Sequence, residues 1–408
     1  MTDQIIAGFL PLTDSAILVA AKAFGFAEAE DIDLTLVRET SWANIRDRMA
    51  VGHFHAAHML APMPIAANLG LTPMPMKLIA PMALGLGGNA VTVSQKLAGE
   101  MQAAQAFSDV DPIASGNALK AVVRARQEQS LEPLCFGVVH PYSGHNLELR
   151  YWLAASGMLP DRDIEIIIVP PPLMPDALKS GRIDGFCVGE PYNSMAVDKL
   201  SGEIVTVKSA IWRSSPEKVL ALNADWQAEH SDLTDRLLRA LFRSAMWCGN
   251  VANHAELAAL LARETFLGLP ASLIQKGLSG NLTLAEGRDI AIDDFMIHFG
   301  RAATFPWQSH ALWFYSQLVR WDLANHDKEN EAVAAGSYRP DLYRRALGPL
   351  GASLPGANAK VEGALSRPTP VGATSDSLTL GPDGFFDGAI FDPEKLDAYL
   401  KSQMPIDK

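Results

Sequence analysis

The residues of this chain best suited to chemistry are nitrogen donors, not nucleophiles. Ser41-Trp42 opens a stretch with helical periodicity. The N-terminus of such a helix presents unpaired N–H groups and the positive end of its dipole, and an indole N–H would stand beside them. A core tryptophan with a serine cap is the plainer alternative. His145, in Pro141-Tyr142-Ser143-Gly144-His145-Asn146, starts a helix directly after a strand. In open α/β sheets, ligands sit at that kind of junction. Lys218 follows Ser214-Ser215-Pro216-Glu217 and leads straight into a strand. An ammonium at a strand mouth suits an anion, with a solvated lysine as the rival reading.

Other motifs carry less. His53, His55 and His58 have metal-like spacing, but no acidic or thiol ligand accompanies them. Zinc takes three or four ligands, so structural roles are expected and no metal or cofactor is assigned; His58 is the member expected nearest a ligand. Gly87-Gly88-Asn89 precedes a strand instead of opening a helix. It is therefore neither a P-loop nor a dinucleotide fingerprint, and a hinge with N–H groups facing a cleft is expected there. Gly189-Glu190-Pro191-Tyr192 reads as a second passage between lobes, with Glu190 bonding backbone across the cleft or orienting a cation. Cys135, Cys187 and Cys248 are odd in number and lack CxxC spacing, as in a reducing compartment, and each reads as a small buried hydrophobe. Ser143 has no base at a telling spacing, so no catalytic residue is assigned.

The elements that must position these residues follow a βαβα order over the first 85 positions. Strands are expected at 5–10, 33–38 and 76–83, and helices at 15–24, 42–51 and 60–69. Further strands fall at 90–94, 135–139, 163–170, 185–188, 203–207 and 218–222, with helices at 145–156 and 173–180. Such alternation implies parallel sheets with flanking helices. Residues 225–350 look mainly helical, and 351–380 are rich in Gly, Pro, Ala, Ser and Thr. The chain has 408 residues, more than one ordinary core, which suggests two lobes. The predicted division places 1–87 and 205–350 in the first lobe, 88–204 in the second, and 351–408 in a tail packed on the first.

The formal charge of −12 disfavours direct contact with a phosphate backbone, so no nucleic-acid partner is expected. No run reaches the ~18 apolar residues of a membrane span. The first strand is expected almost at Met1, with no signal-like segment before it, so a cytoplasmic location is expected.

Taken in order, these segments resemble the nitrate- and bicarbonate-binding family of bacterial solute receptors. The resemblance is carried by Ser41-Trp42-Ala43-Asn44-Ile45-Arg46-Asp47, Gly88-Asn89-Ala90-Val91, Gly144-His145 ahead of Leu149-Arg150-Tyr151-Trp152, and Val169-Pro170-Pro171-Pro172. It continues through Asp184-Gly185-Phe186-Cys187-Val188-Gly189-Glu190-Pro191, Pro216-Glu217-Lys218, Ala224-Asp225-Trp226, residues 313–321, and Phe385-Phe386-Asp387-Gly388. It covers nearly the whole chain.

The resemblance implies a two-lobed α/β periplasmic-binding-protein-like fold of the second topological type, with a ligand cleft between lobes and a helical C-terminal extension. It implies that Trp42, His145 and Lys218 contact nitrate or nitrite, with Gly88, Asn89 and Glu190 lining the cleft. Where transport receptors carry a cleft glutamine, this chain has Gly87-Gly88. The missing export signal makes the chain most like the family's cytoplasmic branch. That branch is a nitrate/nitrite sensor that holds an ANTAR-type, RNA-binding antiterminator and releases it on ligand binding to permit nitrate assimilation. Two alternatives stand beside this reading: the binding component of a nitrate or bicarbonate ABC transporter, and an enzyme on the same fold using Cys135, Cys187 or His145.

Overall fold

The computed structural model describes residues 2–375 and 377–403. Its frame is two five-stranded sheets. The first runs in the order Ile32–Arg38, Asp3–Phe9, Ala56–Leu60, Lys218–Asn223, Leu78–Ala83. Its first three strands are parallel, while Lys218–Asn223 is antiparallel to both neighbours. The second runs Gly202–Val207, Asn89–Ser94, Gly185–Gly189, Leu134–Val138, Ile164–Ile168, and here Asn89–Ser94 is the antiparallel insert. Each sheet thus receives one strand from the far side of the other. That is the two-lobed, type II architecture that the family resemblance implies.

The local reasons are simple. Ser41 Oγ accepts the Asn44 N–H at 3.2 Å and Ser143 Oγ accepts that of Asn146 at 3.1 Å, so serine caps fix the starts of helices Trp42–Ala50 and Gly144–Ala155. Strand Ala56–Leu60, absent from the sequence reading, is buried at every position. With helices covering both faces it lacks the polar alternation by which half-exposed strands are recognised.

Two chain segments cross between lobes, residues 84–88 outward and 208–217 on return. They run side by side, with the Gly87 N–H donating to Ser215 O at 3.0 Å. This corrects two expectations. Glu190 is not at the return passage, because the chain after Pro191 forms helix Tyr192–Asp198 and comes back to the same sheet. Strand Gly202–Val207 then pairs with Asn89–Ser94, so the second lobe runs past 204 to 207.

Residues 225–350 are helical except for a hairpin, Asn281–Ala285 with Arg288–Ala291, and a short pairing of Met296–Ile297 with Leu86–Gly87. That pairing explains Gly87: its φ is +73°, and a Cβ would stand 2.2 Å from Phe295 O. Among the described residues, no helix is long and apolar enough to cross a membrane.

The tail does not rest on the first lobe alone. Phe385 stacks on Trp212 at 4.7 Å, Phe385 and Phe386 pack against Tyr151 of the second lobe, and the Tyr151 hydroxyl donates to Asp387 at 2.8 Å. Helix Leu396–Gln403 closes on helix Gln308–Arg320. The tail therefore straps both lobes and the return passage.

Candidate anion-binding site

The mouths of both sheets face each other, and each contributes to one buried cluster. From the first lobe come Thr13 and Asp14, just past strand Asp3–Phe9, with Trp42 at its helix start, His58 within strand Ala56–Leu60 and Lys218 at the head of its strand. From the second come Asn89 at a strand start and His145 in the first turn of helix Gly144–Ala155. Lys208 and Glu217 mark the two ends of the return passage, and Glu148 lies one turn beyond His145.

Lys218 Nζ donates to Asp14 Oδ2 at 2.7 Å and to Glu217 Oε1 at 2.6 Å, and stands 5.4 Å from the centre of the Trp42 ring. Trp42 in turn packs on His58, ring centres 5.4 Å apart. Glu217 is the hub: its Oε1 is also 3.2 Å from His145 Nε2, and its Oε2 bonds Lys208 Nζ. Lys208 reaches Glu148 Oε1 at 3.0 Å and Pro216 O at 2.8 Å, and Ser215 Oγ donates to Glu148. Gly144 makes room for this pair, since a Cβ there would lie 2.8 Å from Glu217 Oε2 and 3.1 Å from Lys208 Nζ.

Lys218 heads its strand as expected but is 0% exposed, so it is a buried charge and not an open cleft-mouth lysine. Burial works against the ionised carboxyl of Asp14, yet the Lys218 ammonium holds it well below the usual carboxylate range. Glu217 behaves alike under Lys208 and Lys218. Burial drives His145 down to about 3 despite Glu217, and drives His58 down despite Asp14. Both rings are therefore neutral, each with one N–H to give.

Among the described residues, several buried polar atoms here have no hydrogen-bond partner: Trp42 Nε1, Thr13 Oγ1, Asp14 Oδ1, both amide atoms of Asn89, and both ring nitrogens of His58 and of His145. His58 Nε2 is 2.9 Å from Asp14 Oδ1 and His145 Nε2 3.2 Å from Glu217 Oε1, close but not aligned as hydrogen bonds. Protein interiors satisfy nearly all such groups, so a convergent set of unpaired donors around an ammonium is the signature of a site for a hydrogen-bond acceptor.

Not every expected residue joins. The Gly88 N–H is spent on Phe295 O at 2.6 Å, so it offers no amide to the cleft. The Glu190 main chain does bridge the lobes, accepting from Thr13 N and donating to Gly88 O, both at 2.9 Å. Its carboxylate instead accepts the Ser194 N–H at 3.2 Å in helix Tyr192–Asp198. His53, His55 and His58 do not converge: His53 is exposed, while His55 stacks on Trp226 at 5.2 Å and accepts the Ile6 N–H. Burial raises the thiols of Cys135 to about 11 and Cys248 to about 12, and Cys187 further, the reverse of nucleophile activation. Asp14, Thr13, Glu148 and Lys208 were not legible. For Asp14 the one available signal was its place after the first strand, but 60 residues separate Glu148 from Lys208 and no motif links them.

Seven histidines are held below their ordinary value chiefly by burial, including His140 and His298 at about 4. A depressed imidazole lets the unfolded chain bind protons that the native chain refuses, so stability falls as pH drops below about 6.5. Glu148 and Glu190, raised to about 7 by burial, act oppositely, but they are outnumbered. Calorimetric Tm is thus expected to be several degrees lower at pH 5 than at pH 7.5; an unchanged or higher Tm at pH 5 would contradict these neutral buried rings.

The profile of the NMT1-like family matches residues 2–262, well over half of the sequence. The chain belongs to the NMT1-like family. Within that family it is 32% identical over 404 residues to the nitrate/nitrite binding protein NrtA of Synechococcus elongatus, covering 96% of this chain and 84% of that protein. It is 28% identical over 421 residues to the bicarbonate-binding protein CmpA of the same organism, covering 97% and 85%. The crystal structure of the periplasmic nitrate-binding protein NrtA from Synechocystis PCC 6803 superposes with a TM-score of 0.86 at 24% identity, covering 99% of both chains. The family and fold are those of solute-binding proteins.

Proposed function

We propose that this NMT1-like protein binds nitrate or nitrite between its lobes and serves as the solute-binding component of an ABC importer for these anions. One observation carries the reading: a fully buried Lys218 over the Trp42 ring, in a site where Trp42, His58, His145, Asn89 and Thr13 all keep buried polar atoms without partners. Nitrate is planar and a weak acceptor, so a buried site must replace its hydration with several donors at once. Bicarbonate also needs an acceptor for its hydroxyl. Of the carboxylates placed to supply one, Glu217 is held through both oxygens by Lys218 and Lys208 and Asp14 Oδ2 by Lys218, while Asp14 Oδ1 faces only His58 Nε2 at 2.9 Å. Four heavy atoms at a ceiling of about −1.5 kcal/mol each give roughly −6 kcal/mol, or tens of micromolar. The relatives named for nitrate and nitrite support the reading.

The test is calorimetric titration with nitrate, nitrite, bicarbonate and chloride. Nitrate and nitrite are expected at tens of micromolar or tighter, with bicarbonate and chloride weaker. A protein indifferent to all four ends the proposal. Trp42→Phe, which keeps a ring but deletes the indole donor, is expected to weaken nitrate binding roughly tenfold, as for one hydrogen bond to a charged group; unchanged affinity would take the indole out of the site.

The regulatory reading uses the same site in the cytoplasm and differs only in the partner. The charge of −12 suits a protein partner rather than RNA itself. Ligand would act by favouring the closed lobes, since it shifts an equilibrium only through differential affinity. Capture of an ANTAR-type antiterminator that nitrate releases would replace the importer assignment, whereas nitrate-stimulated association with a permease would secure it.

A further inference from the structure

Among the described residues, the buried cluster holds three carboxylates, Asp14, Glu148 and Glu217, but only two ammonium groups, Lys208 and Lys218. All five side chains are nearly or wholly withdrawn from solvent, with Lys218 at 0% and the others at 2–5% exposure. The two imidazoles are neutral. With every carboxylate ionised, the cluster would already carry one uncompensated negative charge in a low-dielectric setting, before any anion enters. Adding a buried monoanion doubles that excess. An uncompensated buried charge is among the costliest arrangements in a protein, and the ordinary remedy is neutralisation by a proton.

We infer, on the anion-binding reading above, that the site takes up its anion together with a proton, and that Glu148 is the proton's carrier. Asp14 and Glu217 are poor candidates because each touches an ammonium and an imidazole edge. Glu148 is the least supported of the three. On one side it meets Lys208 at 3.0 Å, a charge it shares with Glu217, and it accepts from the Ser215 hydroxyl. The Glu217 carboxylate and the Cys187 thiol of strand Gly185–Gly189 face it from the neighbouring elements and add no positive charge. On its own helix, His145 lies one turn back and is held by burial as a neutral ring. Burial and Glu217 raise the Glu148 carboxyl to about 7, so its proton exchanges in the working range of the protein. Through Lys208 and Glu217, that proton is electrically joined to Lys218 and to the anion.

Linkage fixes the sign. A protonated Glu148 frees Lys208 for Glu217 and removes one negative charge, so affinity for anion rises as pH falls. Nitrate itself does not titrate near neutrality, so any pH dependence of its binding belongs to the protein. Above about pH 7 the nitrate Kd of the wild type is expected to rise by up to tenfold per pH unit, with about one proton taken up per anion. Calorimetry of nitrate binding between pH 6 and 8.5, in buffers of differing ionisation heat, reads both quantities on the intact chain. In Glu148→Gln the slope is expected to vanish, with the affinity at pH 8 matching or exceeding that of the wild type at pH 6. A flat wild-type profile with no buffer-dependent heat would overturn proton uptake. A slope surviving in a folded Glu148→Gln protein would overturn Glu148 as its carrier. Should that variant not fold, the wild-type proton count still decides the first point. Wild type that binds nitrate, nitrite and bicarbonate at no pH would instead overturn the functional reading itself.

Discussion

Lys218→Ala is expected to abolish nitrate binding and also to lower stability by about 3–5 kcal/mol, because it leaves Asp14 and Glu217 as buried carboxylates without their shared cation. From sequence alone the same substitution looked harmless to the fold, as if the lysine stood at an open cleft mouth. The side chain is instead wholly buried, held by two acids and roofed by an indole. Loss of function and loss of stability are therefore coupled, and they must be separated experimentally. Denaturant unfolding gives the stability term. Titration well below the midpoint, with native-like circular dichroism as the control, gives the binding term. Double substitution with Asp14→Asn removes one stranded acid and is expected to recover part of the stability but none of the affinity. A folded Lys218→Ala protein of unchanged stability would show that the acids find other partners.

Trp212→Ala is the second large effect, expected to cost about 3–5 kcal/mol as a large buried ring is deleted. Trp212 lies on the return passage and is fully buried. It stacks on Phe385 at 4.7 Å with rings 19° from parallel, packs on Trp313 at 4.6 Å, and meets His310 edge-on at 5.7 Å. Next to it, the Arg213 N–H donates to Gly384 O at 3.1 Å. Deleting the ring should release the tail before the lobes unfold, since the tail's aromatic anchor is lost while both sheets remain. Limited proteolysis is thus expected to cut first within 351–395, and Trp212→Phe to restore most of the resistance. Equal cleavage of wild type and Trp212→Ala would deny the tail its role as a strap across the lobes.

Much of the frame was readable from residue order. Apolar periodicity, with Ser41 as a cap, gave the helices of the site nearly to the residue, and β-branched runs gave most strands. Among the elements that escaped, which include helices Gln95–Ala104 and Pro112–Glu128, two did so for opposite reasons. Strand Ala56–Leu60 is buried on both faces and so shows no alternation. The hairpin at 281–291 is short and lies within helical surroundings, where local pattern says little about pairing.

By itself, the sequence determined that an indole and an imidazole open helices after strands and that a lysine opens a strand in an α/β chain long enough for two lobes, because strand and helix starts are set by local periodicity and capping. Tertiary structure alone decided that these groups meet, and that Asp14, Glu217, Lys208 and Glu148 join them. It also decided that the Gly88 amide and the Glu190 carboxylate are committed elsewhere. The physical reason is that charge balance in a buried cluster is a property of side chains brought together from positions 14 to 218, and no local pattern encodes which of them will share one dry space.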